Sequence, residues 1–186
     1  MQRVRISVLL PDRIGLLCDT TGVLFRAGGN INAVRETLLD GFFSLICTVT
    51  FETPVDPAAL RQGLRAVLGE EAEISAHPFS ENPRPVLPQG ARFIAVTHGP
   101  DKPGTIHGIA QFFAGRGVNI TDWSLSEEDG RITYIASVVL PPETDFRTLQ
   151  TDFRACMTPL GLAANLCHEN IFRATGEIGP IKGISN

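Results

Sequence analysis

The chain has 186 residues, a hydrophobic fraction of 43% and a formal net charge of −4, a composition typical of a globular protein with one or two domains. The negative charge and the scattered arginines argue against direct nucleic-acid binding, because domains that bind nucleic acid usually carry a basic face or stripe. We recognise no signal peptide and no long apolar span, so we expect a cytoplasmic protein without a membrane-spanning segment.

The first half of the chain predicts two helices among four short strands. The predicted strands cover residues 4–9, 31–39, 43–51 and 72–79, and the predicted helices cover residues 14–27 and 57–68. Leu17, Thr21 and Leu24 lie at helical spacing and mark the expected inward face of the first helix. The dipeptide Asp40-Gly41 predicts a tight hairpin between the second and third strands.

The second half of the chain repeats this order of elements. Its predicted strands cover residues 92–98, 119–128, 132–140 and 162–169. The residues expected to face inward are Ile106, Ile109, Ala110 and Phe113 in the first helix and Leu149, Phe153, Cys156 and Met157 in the second. The order βαββαβ, found twice, predicts an α+β protein of two ferredoxin-like domains, each an antiparallel sheet with helices on one face.

Turn-forming and polar residues recur at a constant offset of 89 positions. The recurring pairs are Asp12 and Asp101, Gly15 and Gly104, Asn30 and Asn119, and Ile31 and Ile120. Such internal repetition indicates two copies of one small domain. We therefore expect a first domain at residues 1–79, a stiff proline-rich linker at 80–91, a second domain at 92–170 and a tail at 171–186.

The recurring residues belong to the loop after the first strand and to the start of the second strand, which we expect at the same end of each domain. A glycine at a helix start, as expected for Gly15 and Gly104, lets a carboxylate approach the unpaired N–H groups. The Asn30 amide can both donate and accept hydrogen bonds, and Asp12 can face an ammonium group. Together these groups suit a free amino acid. The structural alternative is that Asp12 caps a helix, Gly28 ends one and Asn30 occupies a left-handed turn.

The segments P-D-R-I-G-L-L…G-G-N-I (residues 11–31) and P-D-K-P-G-T-I…G-V-N-I (residues 100–120) resemble the ACT domain, a small-molecule-sensing module of amino-acid metabolism. Two such domains on a proline-rich joint resemble the glycine cleavage system transcriptional repressor family. The resemblance implies that an amino acid binds at domain interfaces to Asp12, Gly15, Leu16, Asn30 and Ile31 and to Asp101, Gly104, Thr105, Asn119 and Ile120. Leu16 stands where the second repeat has Thr105, and Ile14 where it has Pro103, so the two sites need not share a ligand.

We expect a non-enzymatic regulatory protein that acts through a protein partner, such as a transcription factor that controls glycine metabolism. The alternative left open is a regulatory subunit of an amino-acid biosynthetic enzyme. We expect no catalytic residue, cofactor or metal: His98 and His107 match no common ligand spacing, and Cys18 is expected in the core and not as a nucleophile. We also expect a homo-oligomer or a pairing of the two repeats, since the second strand lies at a sheet edge in this topology.

Overall fold

The computed structural model describes residues 1–79 and 90–177, with side chains to residue 173. The chain divides into two compact units, Met1–Asn82 and Pro83–Asn186. Most of the expected linker, residues 80–89, and the end of the expected tail, residues 178–186, lie outside the described residues. The expected domain limits at these places stay a prediction.

Each unit contains the predicted order of elements. The first consists of β1 (Gln2–Pro11), α1 (Leu16–Arg26), β2 (Gly29–Leu39), β3 (Phe42–Phe51), α2 (Pro57–Leu68) and β4 (Glu73–Pro78). The second consists of β5 (Ala91–Pro100), α3 (Thr105–Ala114), β6 (Asn119–Glu128), β7 (Arg131–Leu140), α4 (Phe146–Met157) and β8 (Ala163–His168), followed by α5 (Glu169–Glu177). The prediction of two α+β ferredoxin-like domains is therefore confirmed.

Two antiparallel sheets organise the units, with strand orders β2-β3-β1-β4 and β6-β7-β5-β8. Burial alternates along each central strand, as the period-2 pattern of residues predicts. In β3 the buried side chains are Phe43, Leu45, Cys47, Val49 and Phe51. The strands β2 and β6 lie at sheet edges, as expected from the sequence.

The two Asp-Gly dipeptides form the predicted hairpins. Asp40 and Gly41 have φ values of 49° and 78°, and Asp129 and Gly130 have φ values of 52° and 70°. Positive φ at both central residues is the requirement of a type I′ turn, whose twist matches that of the flanking strands. Both dipeptides therefore fix the register of their hairpins.

The inward face of two helices differs from the prediction. Leu24 is buried as predicted, but Leu17 is 46% exposed, and the other buried residues of α1 are Leu16, Thr20 and Val23. Ile106, expected inward in α3, is 47% exposed, while Phe112 is buried. The spacing that begins at Leu16 and the spacing that begins at Leu17 are both helical, so periodicity alone cannot identify the inward face of α1. Packing against the sheet and α2 determines which face is buried.

The cysteines also differ in part from the expectation. Cys18 and Cys156 are exposed, so the prediction that they lie in the core is wrong, whereas Cys47 is buried. Burial raises the pKa of the Cys47 thiol to about 11, which keeps that thiol protonated and unreactive at neutral pH.

The helix α5 was not expected from the sequence. It follows β8 without a break and packs against β5 and β8. An ion pair one turn apart, between Arg173 and Glu169 at 2.7 Å, lies along its exposed side. The first part of the expected tail is thus helical.

Candidate ligand site

Glycine begins the first helix of each domain in a conformation that other residues rarely adopt. Gly15 and Gly104 have φ values of 97° and 87°, and neither helix start has a side-chain cap. A Cβ atom added at Gly104 would meet nothing within 4 Å. The glycines are thus required by backbone angle and not by crowding. The Thr105 N–H donates to the Lys102 carbonyl at 3.2 Å, and the other N–H groups of the first turn, which have no side-chain cap, can meet an anionic group.

The acidic residues of the two loops have different surroundings. The Asp12 backbone N–H donates to the Gly41 carbonyl at 2.8 Å, and this residue does not cap α1. Asp101 accepts a hydrogen bond from the Tyr134 hydroxyl, at 3.5 Å. Both aspartates are exposed, so each carboxylate can meet a cationic group from solvent.

The residue after each glycine is buried, and its chemistry differs between the domains. Leu16 is 1% exposed and belongs to the apolar core of the first domain. Thr105 is 3% exposed, and its hydroxyl donates to the Lys102 carbonyl at 2.9 Å. The buried residue after the glycine is therefore aliphatic in one domain and carries a hydroxyl group in the other.

The asparagines lie within the second strands. Asn30 is exposed and pairs with Thr50, while Asn119 is partly buried and pairs with Val139. Neither has a positive φ, since the non-glycine residues with positive φ in the described ranges are the two hairpin aspartates. The interpretation of Asn30 as a left-handed turn residue is therefore wrong.

The following isoleucines point into the domains. Ile31 and Ile120 are partly buried and pack against the two hydrophobic cores. A bulge follows each of them, between Ile31 and Ala33 and between Ile120 and Asp122. A bulge bends the strand and redirects side chains. The start of β2 and the start of β6 therefore depart from regular strand geometry.

The loop and the asparagine of one domain lie at opposite ends of its sheet, and the expectation that they share an end is wrong. Pro11 pairs with Phe42 beside the loop, whereas Gln2 and Gly29 both pair with Phe51. The length of β1 separates the two places by roughly 25–30 Å at about 3.3 Å per residue. The reason is α1, which carries the chain back to the end where β1 begins. The candidate ligand residues of each domain thus lie at two separate places, which we call candidate half-sites: the loop end and the asparagine end.

A groove accompanies the asparagine end of the first domain. It has a volume of about 430 Å³ and lies between α1 and the start of β2. Asn30 and Ile31 line it together with Cys18, Thr21 and Phe25. The exposed Cys18 therefore lies beside the candidate ligand residues Asn30 and Ile31. The position of Cys18 in the predicted helix does not indicate this neighbourhood.

A polar group of residues that sequence reasoning missed lies next to the loop of the second domain. Tyr134 is 3% exposed, and its ring lies 6.0 Å from that of Trp123, between centroids. Burial, followed by the Asp101 carboxylate, raises the pKa of the Tyr134 hydroxyl. A signal existed in the sequence: Thr97 and Tyr134 interrupt inward strand positions that are aliphatic in the first repeat, Val8 and Leu45.

The histidine beside the second loop is engaged within its sheet. His98 Nδ1 lies 2.9 Å from the Thr133 hydroxyl, and Arg131 Nε donates to His98 Nε2 at 2.8 Å. His107 is exposed on α3. Within residues 1–79 and 90–177, no three His, Cys, Asp or Glu side chains are grouped as a metal site would require. Among the helices of those residues, none has the length and apolarity needed to cross a membrane.

Comparisons with known proteins identify the domains. No family model matches the chain. It is 35% identical over 72 residues to the UPF0237 protein MJ1558 of Methanocaldococcus jannaschii, a match that covers 38% of this chain and 79% of that protein. An ACT domain protein from Streptococcus pneumoniae is 30% identical, with 45% of this chain and 96% of that chain covered and a TM-score of 0.43.

A solved structure matches this chain over the sequence of both units. It is that of a candidate glycine cleavage system transcriptional repressor, with a TM-score of 0.67, 20% identity and coverage of 89% of this chain and 95% of that one. At this identity the likeness shows the fold. Through its 72-residue match the chain belongs to the family of the UPF0237 protein MJ1558, and it is a tandem ACT-domain protein.

Proposed function

We propose that this protein is a non-enzymatic regulator that binds a free amino acid at ACT-domain interfaces and passes the signal to a protein partner. The observation that carries the proposal is the uncapped helix start at Gly15 and Gly104, present in both domains beside an aspartate. An α-carboxylate fits the N–H groups of the first helical turn. The ammonium group of the same molecule fits a carboxylate such as that of Asp101.

The separation of the half-sites supports binding at an interface. An amino acid is far too small to bridge the length of β5, so one molecule cannot contact Asp101 and Asn119 of the same domain. It can contact an aspartate and an asparagine together where the loop end of one ACT domain adjoins the asparagine end of another. An asparagine amide then completes the site, because it can donate to the carboxylate and accept from the ammonium.

The partner that we propose is a transcription factor of amino-acid metabolism, with glycine catabolism as the first candidate. A net charge of −4 argues against direct contact with DNA. The shared fold with a candidate glycine cleavage system transcriptional repressor supports this choice of process. The protein would then act by changing the affinity between itself and the transcription factor when the ligand binds.

The first experiment is a thermal-shift screen of the full chain against the twenty amino acids, followed by calorimetry on each compound that raises the melting temperature. Ligand that binds the folded state stabilises it by mass action, so a ligand at 100 times its Kd adds about 2.7 kcal/mol. Binding of at least one amino acid is expected. A flat screen, with glycine included, would leave the sensor proposal without a ligand.

The second experiment captures partners with the immobilised full chain, with and without the amino acid found in the screen. Recovery of a DNA-binding regulator in a ligand-dependent manner is expected. Recovery of an amino-acid biosynthetic enzyme in its place would contradict the transcriptional part of the proposal and leave the amino-acid-binding part intact.

A further inference from the structure

Three residues with buried side-chain hydroxyl groups lie near the β5–α3 loop of the second domain. Thr97 and Tyr134 are directly opposite each other on β5 and β7, and the Thr105 side chain interacts with the Tyr134 hydroxyl from the first turn of α3. Their exposed fractions are 2%, 3% and 3% for Thr97, Thr105 and Tyr134. We call these three residues the hydroxyl cluster. Trp123 lies next to it on the edge strand, stacked at an angle against Tyr134.

The hydrogen-bonding capacity of this cluster is only partly used. The Thr97 Oγ1 atom is buried, and no residue in the described part of the chain gives it a partner. The same is true of the Trp123 Nε1 atom. The Tyr134 hydroxyl reaches Asp101 at 3.5 Å, the long limit for a hydrogen bond. Buried polar groups without partners destabilise a fold, so each one calls for an explanation.

The fold itself does not explain the hydroxyl groups. The residues at the equivalent positions of the first domain are Val8, Leu16 and Leu45, and each is 1% exposed. The position of Trp123 corresponds to Val34. The equivalent positions of the first domain are therefore occupied by aliphatic side chains, which have no polar group that needs a hydrogen-bond partner. The cluster is a property of the second domain alone.

The loop that covers the cluster is attached differently from the loop of the first domain. There, the Asp12 N–H donates to the Gly41 carbonyl at 2.8 Å, and Arg13 pairs with Asp19 at 2.9 Å. Between the described residues of the second domain, no backbone bond joins Asp101 to its hairpin turn. Glycine occupies the position equivalent to Asp19. The second loop is instead held from within, because the Thr105 N–H and hydroxyl both donate to the Lys102 carbonyl, at 3.2 Å and 2.9 Å.

Charge limits what the cluster can accept. The Asp101 carboxylate beside Tyr134 disfavours an acidic group. A cationic group would lose its hydration at a place where Thr97, Thr105 and Tyr134 are almost fully buried. A neutral group that both donates and accepts hydrogen bonds suits Thr97 and Tyr134 best, because hydroxyls themselves do both.

We propose that the hydroxyl cluster is a specificity subsite of the second domain, which receives a neutral hydroxyl group of the ligand, as carried by serine or threonine. The first domain, with Val8, Leu16 and Leu45 in these places, has no such subsite and does not distinguish these ligands from their apolar isosteres. The inference rests on the proposed function, because it places the side group of the amino acid next to the loop that binds its charged groups.

The test uses pairs of amino acids that differ by one hydroxyl group, threonine against valine and serine against alanine, in calorimetry on the full chain. Wild-type protein is expected to bind threonine about tenfold more tightly than valine, the effect of one or two hydrogen bonds. Thr97→Val and Tyr134→Phe are expected to bring this ratio close to one by weakening threonine binding, with valine binding unchanged.

A matched control is available in the first domain. Thr20 in α1 is 0% exposed, and its hydroxyl also has no partner among the described residues, but it lies in an apolar core. Thr20→Val and Thr97→Val each replace an unpaired buried hydroxyl by a methyl group of similar size, so both are expected to keep or raise the melting temperature. Only Thr97→Val is expected to weaken threonine binding.

The outcomes separate the inference from the proposed function. If no amino acid binds to the wild-type chain, the proposed function fails. If amino acids bind but threonine and valine bind alike, or if both cluster variants keep the preference for threonine, amino-acid binding stands and the subsite is overturned. A fall in the melting temperature of Thr97→Val with unchanged affinities also overturns it, because the hydroxyl would then serve the stability of the folded chain.

Discussion

Gly104 has an unusual backbone angle and open space around it, and the effects of these two properties can be separated experimentally. Its φ of 87° excludes most side chains for backbone reasons, while the space around its missing Cβ is open. Open space at the start of a helix is what a ligand carboxylate would occupy. A side chain at this position therefore acts on stability through the backbone and on binding through the space.

We predict that Gly104→Val lowers the free energy of unfolding by about 1–3 kcal/mol, the usual cost of a strained φ, and abolishes amino-acid binding in the second domain. Denaturant unfolding and calorimetry measure the two effects. Gly69→Val is the control, because Gly69 also has a positive φ, 103°, and open space around its Cβ. It should lose at least as much stability, because its ψ of 168° lies in a region that is essentially restricted to glycine, and it should keep the affinity. Retained binding in Gly104→Val would place the ligand elsewhere.

The second prediction at the scale of residues concerns the asparagines. Asn119→Ala should weaken amino-acid binding by about 1.5–3 kcal/mol, the range for hydrogen bonds to charged groups. The fold should persist, because the change removes no core volume. Asn30→Ala, at an exposed position in β2, tests the other repeat. Calorimetry measures the affinity of each variant for the amino acid. Unchanged affinity in both variants would show that the asparagines have no role in binding.

At the scale of elements, the N-cap of α4 shows how a single carboxylate supports a helix. Asp145 accepts from the Thr148 hydroxyl at 2.7 Å and from the Arg147 N–H at 3.0 Å. These two hydrogen bonds hold the pKa of the Asp145 carboxyl below its ordinary value. A lowered pKa in the folded state means that the charged carboxylate stabilises the fold.

We predict that the contribution of the Asp145 charge is present at neutral pH and is lost as the pH falls through the lowered pKa of the folded state. Asp145→Asn keeps a good capping residue and removes the charge. Its melting temperature should lie below that of the wild type at pH 7, and the two should converge in acid. Melting curves between pH 7 and pH 2 measure this, and a constant offset would contradict it.

The elements show where sequence reasoning works and where it fails. Period-2 alternation in β3 and the Asp-Gly turns are local signals, and local geometry alone satisfies them. The face of α1 depends on what packs against it, because Leu16 and Leu17 both begin a helical spacing. The order of elements along the chain suggests one shared end for the candidate half-sites, but α1 returns the chain to the end where β1 begins and so separates them. The hydroxyl cluster joins three elements, so no single segment reveals it.

At the scale of the whole molecule, the edge strand of the first domain has an apolar character. Val34, Leu38 and Leu39 on β2 are 54%, 57% and 68% exposed. An exposed apolar edge strand with free backbone groups favours pairing with another strand. The corresponding positions of β6 carry Trp123, Glu127 and Glu128, so the two edges are not equivalent.

We predict that the chain self-associates through β2 and that Leu38→Lys weakens the association, because a lysine on an edge strand opposes pairing. Sedimentation velocity over a range of concentrations measures the association constant. Val67→Lys, which changes a partly exposed apolar residue of α2 away from the edge, should leave it unchanged. A wild-type chain that stays monomeric at all concentrations would contradict the prediction.

The distance along β1 between the two half-sites has a consequence for stoichiometry. Since the loop end and the asparagine end of a domain are too far apart for one small molecule, each domain would contribute to two ligand molecules and complete neither. The number of bound ligands would then equal the number of places where a loop end adjoins an asparagine end. A closed assembly, in which every end has a neighbour, would bind one ligand per domain, and an open one would bind fewer. The ratio of ligand to protein at saturation would therefore report whether the assembly is closed.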